Sequence, residues 1–282
     1  MSDVLMSVDE LRARLHDPQL RVADVRFDLA DTGSGAAAYA EAHVPGAIYA
    51  HLDRDLSDHA RRGLGRHPLP QADTFARWLA TVGYAPEQHW VVYDADSGAF
   101  AARLWWMLRM IGHRDVRVLD GGFAAWRAAG APLTAQAPAR AATSVDARFS
   151  DSAMVDFAAV ESLRGDAAWR LVDARATPRF RGDVEPLDPV AGHIPGAINR
   201  PFAENLGADG RFKSPEVLRA EWLRLLGAVD PERVVHMCGS GVTACHNLLA
   251  MEHAGLCGSH LFPPSWSGWI SDRSRAVASG DA

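Results

Sequence analysis

The chain has 282 residues, a length that suits two domains of ordinary size, with one large domain as the other option. Hydrophobic residues make up 48% and charged residues 23%, which excludes a disordered or collagen-like chain. With 29 Lys plus Arg against 35 Asp plus Glu, the formal net charge is −6, so a nucleic-acid-binding surface is not the first reading, although a local basic pocket remains open.

Met1 to Arg14 is acidic and polar and lacks the basic segment and apolar core of a secretion signal. No apolar run approaches the roughly 18–20 residues of a membrane span. Val8 to Leu15 reads as a short amphipathic helix and Arg21 to Val25 as a buried strand. Pro70 to Val82 has helical spacing, with Phe75, Trp78, Leu79 and Val82 on one face. Trp90 to Tyr93 is a second strand, Ala99 to Ile111 a strongly apolar helix, and Val116 to Leu119 a third strand closed by Gly121-Gly122. Gly130 to Thr143 is Ala- and Pro-rich without apolar periodicity and reads as a linker. Strands then follow at Trp169 to Val172, Val234 to Met237 and His260 to Phe262, and helices at Pro215 to Leu226 and Thr243 to Ala254. Short apolar strands between helices imply an α/β fold, with mainly parallel sheets covered on both faces.

An internal repeat organises these elements. Val22-Ala23-Asp24-Val25-Arg26 recurs as Leu171-Val172-Asp173-Ala174-Arg175 at an offset of 149, and His43-Val44-Pro45-Gly46-Ala47-Ile48 recurs at His193 with an offset of 150. Val91 to Gly98 matches Val234 to Gly241 without gaps at an offset of 143. Two copies of a unit of roughly 130 residues follow, divided as residues 1–130, a linker at 131–148, and residues 149–282. Each Pro-Gly segment is expected to form a tight turn entering a short strand, held by its histidine (His43 or His193) rather than serving catalysis.

The second-copy strand ends in Cys238-Gly239-Ser240-Gly241-Val242-Thr243-Ala244, which opens a helix. Ligands of open α/β sheets bind beyond the carboxyl ends of the strands, where this cysteine falls. The glycines allow a tight loop whose backbone N–H groups converge, and with the helix N-terminus these form an anion cradle that favours a reactive thiolate. In the ungapped match the first copy has Ala95 at this position and Asp96 where the second has Gly239. A cysteine phosphatase needs an arginine six residues after the nucleophile; here that residue is Ala244. Attack on sulfane sulfur to give a persulfide needs only the cradle. The three cysteines (238, 245 and 257) match neither a disulfide framework nor a zinc site. Cys245 and Cys257 read as small buried hydrophobes, with a redox partnership to Cys238 as the other possibility. The tryptophans at 105, 106, 126, 266 and 269 read as packing residues.

On these residues the chain resembles the two-domain rhodanese sulfurtransferases, most closely their 3-mercaptopyruvate branch, from about Val22 to Trp269. The resemblance implies two tandem rhodanese-like domains, the first inactive and the second catalytic, needing neither metal nor organic cofactor; the few cysteines point to a reducing, cytoplasmic setting. It implies Cys238 as the nucleophile and the loop residues Gly239, Gly241, Val242 and Thr243 around the sulfur. Arg179, in Thr177-Pro178-Arg179-Phe180-Arg181, would bind the anionic end of the donor, with Arg181 the weaker neighbour. Ser240, His67 and Asp53 would form a relay for protons during C–S cleavage. Donors would be 3-mercaptopyruvate or thiosulfate. Acceptors would be a thiol such as thioredoxin or glutathione, or cyanide, with no nucleic-acid or membrane partner. A persulfide carrier without small-molecule turnover is the rival of another class. Two departures stand out. The mercaptopyruvate branch often has a second arginine after Glu-Pro, where this chain has Leu187 following Glu185-Pro186. A Gly-containing turn before Ser-Trp is replaced by Phe262-Pro263-Pro264-Ser265-Trp266, a change expected to reshape a turn without removing activity.

Overall fold

The computed structural model describes residues 4–281; the first three residues of the opening segment and residue 282 lie outside it. The chain forms two compact units. His59–Pro68 groups with the second unit and Ala208–Arg211 with the first, so the division is not a single cut along the chain.

The first unit runs β1 (Leu5–Met6), α1 (Val8–Arg14), β2 (Leu20–Asp24), α2 (Ser34–Glu41), β3 (Ala47–Tyr49), α3 (Leu52–Asp55), α4 (Ala72–Thr81), β4 (His89–Tyr93), α5 (Ala101–Met110), β5 (Val116–Leu119) and α6 (Gly122–Ala128). Its five strands order as β1-β5-β4-β2-β3, and every pairing is parallel. Ser7 caps α1 in a reciprocal box with Glu10, which satisfies two otherwise orphan donors. The stretch read as a linker is fastened to this unit: Thr134 bridges His43, Thr143 donates to the Ala80 carbonyl, and Ala131 joins the core.

The second unit runs α7 (Phe157–Leu163), β6 (Arg170–Asp173), α8 (Thr177–Arg181), β7 (Ala197–Asn199), α9 (Pro215–Leu226), β8 (Val234–Met237), α10 (Ala244–His253), β9 (His260–Leu261) and α11 (Ser265–Trp269). The strands order as β7-β6-β8-β9, again all parallel. Alternation along the strands builds a core on each face. Leu171, Val235 and Met237 pack with Val160, Trp266 and Trp269, while Val172 and Val234 pack with Leu218, Trp222 and Met251. Burying apolar side chains on both faces is why these strands read as continuous hydrophobic runs.

The repeated Asp-x-Arg motif is a buried clamp in both copies. Arg26 forks onto Asp24, its Nη2 at 2.6 Å, and donates to the Ala42 carbonyl at 2.7 Å; Arg175 forks onto Asp173 and reaches the Gly192 carbonyl at 2.8 Å. Such a pair fixes register more than it adds stability, here tying a central strand to the segment before the Pro-Gly turn. The two motif histidines are structural: His43 Nδ1 lies 2.7 Å from the Tyr39 carbonyl and His193 Nδ1 2.8 Å from the Phe180 carbonyl, each ring stacked on that same aromatic neighbour. All five tryptophans singled out by sequence are buried. Among the described residues, no helix is long and apolar enough to cross a membrane, and no cluster of three or more His, Cys, Asp or Glu side chains is placed to hold a metal ion.

Candidate active site

Cys238 stands immediately beyond the carboxyl end of β8. Its own N–H donates to Ser265 Oγ at 3.1 Å, and its Sγ accepts the N–H of Gly241 at 3.2 Å. Its carbonyl accepts from Trp266 N and the next carbonyl from Ser267 N, which binds the loop to the start of α11. Gly241 makes the turn at φ +76°, where a β-carbon would lie 2.3 Å from the Pro263 carbonyl oxygen, so only glycine fits. Val242 is buried, Thr243 is the N-cap residue of α10, and Ala244, itself buried, opens that helix. Pro263 and Pro264 form the turn that leads into Ser265. Ser265 adopts φ +52°, and its hydroxyl both receives the Cys238 N–H and donates to the Phe262 carbonyl at 3.0 Å. Cys245 is buried under the loop, its thiol 3.4 Å from the Gly241 carbonyl. Cys257 corrects the sequence reading: it is exposed, because it follows the last buried residue of the turn after α10, Leu256.

Two arginines meet at Gly239. A β-carbon there would lie 2.9 Å from Arg66 Nη2 and 3.6 Å from both Nη atoms of Arg179. Arg179, on α8, donates through Nη2 to Glu185 at 2.7 Å and to Asp188 at 3.3 Å. Asp188 also pairs with Arg66 Nη1, so one carboxylate bridges both guanidinium groups. Burial would raise the Glu185 carboxyl, but Arg179 and the N–H groups of Leu187 and Asp188 overcome this and hold it below the usual carboxylate range. Burial also works against the Arg175 charge. Asp173, Glu185 and Cys238 more than offset that and push its pKa up.

His67 lies in the segment that joins the second unit, and its Nδ1 is 2.7 Å from Ser240 Oγ, with both residues buried. Cys238, Ser240, His67 and Arg179 are thus brought to one loop, with Gly239, Gly241, Val242 and Thr243. Arg181 is not: two residues along a helix turn a side chain about 200° from Arg179, and it pairs instead with Asp183 and Asp281. Asp53 lies on α3 of the first unit, its N–H donating to His51 Nδ1 at 3.1 Å. Leu187 is exposed. Sequence reasoning missed Arg66, Glu185 and Asp188. The signals were present in Gly65-Arg66-His67, beside a chosen histidine, and in two acids six and nine residues after Arg179.

Comparison with known proteins agrees with this geometry. The model of the rhodanese-like domain matches residues 7–129 and, again, residues 156–272. The chain belongs to the rhodanese-like family. A Pseudomonas aeruginosa protein named "Probable 3-mercaptopyruvate sulfurtransferase" is 48% identical over 98% of each chain. Thiosulfate sulfurtransferase of Bos taurus is 36% identical, over 93% of this chain and 89% of its own. The crystal structure of SseA from Escherichia coli, described as a 3-mercaptopyruvate sulfotransferase with the rhodanese fold, superposes with a TM-score of 0.82 at 30% identity. It covers 94% of this chain and all of its own.

Hydrogen bonding aligns the two rhodanese-like copies more closely than the ungapped sequence match does. Asp24 pairs with Tyr93 as Asp173 pairs with Met237. The Asp94 carbonyl accepts from Phe123 N as the Cys238 carbonyl accepts from Trp266 N. The counterpart of Cys238 is therefore Asp94, not Ala95. The first-copy loop is one residue longer between this position and its φ-positive glycine, which shifts the ungapped match.

Proposed function

We propose that this chain is a sulfurtransferase that carries sulfane sulfur on Cys238. The observation that carries the reading is the Cys238 Sγ, which takes a backbone N–H at 3.2 Å beside a loop flanked by guanidinium groups. A thiolate held there attacks the sulfur of 3-mercaptopyruvate. The S–S bond forms, the C–S bond breaks, and the electron pair leaves on the pyruvate enolate, which takes a proton to become pyruvate. Ser240, hydrogen-bonded to His67, is set to deliver that proton, and Asp53 completes the relay as part of the same proposal. With thiosulfate, attack on the outer sulfur releases sulfite instead. A thiolate acceptor such as reduced thioredoxin or glutathione, or cyanide, then attacks the outer persulfide sulfur and regenerates Cys238. Gly239, Gly241, Val242 and Thr243 supply the walls of the cradle, and the setting is a reducing cytoplasm.

The test is intact-mass measurement after incubation with 3-mercaptopyruvate alone. A gain of one sulfur atom in the native chain, absent from Cys238→Ser, is the expected result; no gain sinks the proposal. Sulfur gain followed by repeated pyruvate release excludes a carrier that takes sulfur only from a protein partner. Side-by-side kcat/KM values for 3-mercaptopyruvate and thiosulfate assign the preferred donor.

A further inference from the structure

We propose that Arg66 is a donor-binding residue: it supplies the second guanidinium for the anionic end of the donor and, with Arg179, sets the preference for donors that carry a carboxylate. This inference rests on the sulfur-transfer reading above and deepens it.

Arg179 cannot grip an anion alone. Its Nε and Nη2 both face Glu185, at 3.2 and 2.7 Å, and Nη2 also reaches Asp188. Only Nη1 is left without an intramolecular partner among the described residues, and the two diverging N–H groups of one nitrogen do not make the parallel, two-nitrogen fork that holds a carboxylate. Arg66 has the complementary arrangement. Its Nη1 is taken by Asp188, and its Nη2 points at Gly239, with no partner among the described residues. Two N–H-bearing nitrogens from two arginines therefore converge beside the residue that follows Cys238.

The placement is built rather than loose. Asp188 takes Arg66 on one carboxylate oxygen and Arg179 on the other, which fixes the spacing of the two guanidinium groups. The Arg66 N–H donates to Ser267 Oγ at 3.0 Å. Gly65, at φ +93°, presses against the Pro264 carbonyl, where a β-carbon would lie 2.6 Å from the oxygen. The same short segment thus delivers Arg66 to Gly239 and His67 to Ser240.

Formal charges in the cluster cancel: Arg66 and Arg179 against Glu185 and Asp188. Their exposure does not. The carboxylate side chains are 3% and 2% exposed, whereas those of Arg66 and Arg179 are 28% and 18% exposed. An approaching anion meets the cationic ends, and the acids sit behind them. Gly239 fits the same account, since any side chain there must push Arg66 aside.

The experiment compares 3-mercaptopyruvate with 1-mercaptopropan-2-one, which keeps the thiol and ketone but lacks the carboxylate, in the native chain, Arg66→Met and Gly239→Ala. For Arg66→Met the expected outcome is a KM for 3-mercaptopyruvate raised roughly 10- to 100-fold with a much smaller change in kcat. The preference for the carboxylate-bearing donor falls by the same factor. Gly239→Ala keeps every charge and should reproduce the shift by displacing the guanidinium. The double variant should be little worse than either single one, because both remove one contact. If Arg66→Met does not fold, Gly239→Ala carries the test by itself. Equal losses on both donors, or a 3-mercaptopyruvate KM within about twofold of native, overturn the role of Arg66 while sulfur transfer stands. If the native chain gains no sulfur from either donor, both proposals fall.

Discussion

Asp94 and Cys238 are structural counterparts: each follows the central strand of its copy, and each accepts the N–H of a glycine with φ near +80°, Asp94 Oδ1 from Gly98 at 2.9 Å and Cys238 Sγ from Gly241 at 3.2 Å. The first copy fills its anion cradle with its own carboxylate, which also takes the N–H groups of Phe100 at 2.8 Å and Ala101 at 3.1 Å. An internal anion leaves no place for an external one, which is a physical reason to expect no sulfur transfer from the first copy. Burial pushes the Asp94 carboxyl up, and the three N–H donors pull against that. Asp94→Ala strands those buried donors and should cost on the order of 3 kcal/mol, read as a lower urea midpoint. The kcat of the protein that remains folded should not change.

Gly241→Ala tests whether the turn after Cys238 tolerates a side chain. A β-carbon at φ +76° carries a backbone penalty of about 1 kcal/mol, and here it also meets the Pro263 carbonyl oxygen at 2.3 Å. Relief requires moving the loop or the Pro263-Pro264 turn, and either shifts the N–H aimed at Cys238 Sγ. Sulfur loading should fall by at least tenfold. Gly210→Ala is the control: its φ is +77° and nothing lies within 4 Å, so it should show only the backbone penalty, with loading intact.

The His67–Ser240 pair matters most where a carbanion must be protonated. Cleavage of 3-mercaptopyruvate leaves an enolate; cleavage of thiosulfate leaves sulfite, which is stable as an anion. His67→Gln and Ser240→Ala should each lower turnover of 3-mercaptopyruvate by roughly 10²-fold and leave the thiosulfate reaction far less affected. The double variant should be no worse than either single one, since the two side chains share one hydrogen bond. Equal damage to both donors would reduce the pair to a packing role.

Much of this was legible in the sequence, for identifiable reasons. Strands buried on both faces appear as apolar runs, and Val116–Leu119 and Val234–Met237 fall on the expected residues, as does the helix at Pro215–Leu226. The short helices α2, α3, α6, α7, α8 and α11 were not read, because four to eight residues hold about two turns at most; α1, of similar length, was read from its amphipathic pattern. The loop around Cys238 was legible because its chemistry is local. The Arg66–Asp188 pair was not, because it joins residues 122 positions apart and nothing in either segment names its partner. Leu187 suggested a lost guanidinium contact; the spatial neighbour of Arg179 comes instead from a distant turn. The one-residue error over Ala95 has the same origin, since only hydrogen-bond register reveals where a loop has lengthened.

His236, in the middle of β8, gives the fold an acid-sensitive point. It is fully buried, edge-on to Trp222, with Nε2 3.2 Å from Met251 Sδ and Nδ1 without a hydrogen-bond partner. Burial, helped by nearby His260, lowers its pKa from 6.5 to about 3. The sign follows from proton counting. Below about pH 6.5 the unfolded chain binds a proton at this site, but the native state does not until about pH 3. Stability contributed by the neutral ring is therefore complete above pH 6.5 and is lost as pH falls, with a slope approaching about 1.4 kcal/mol per pH unit. His113, also lowered by burial, adds to the slope in this window. Glu185 and Glu221, both held below their usual 4.5, add theirs only at lower pH. His236→Leu removes one of these protons along with a buried nitrogen that has no partner. Urea unfolding at pH 7.5 should show native or better stability for this variant, and the decline between pH 6.5 and 5 should lessen by nearly one proton's worth. An unchanged slope would mean that the imidazole is already charged in the folded protein.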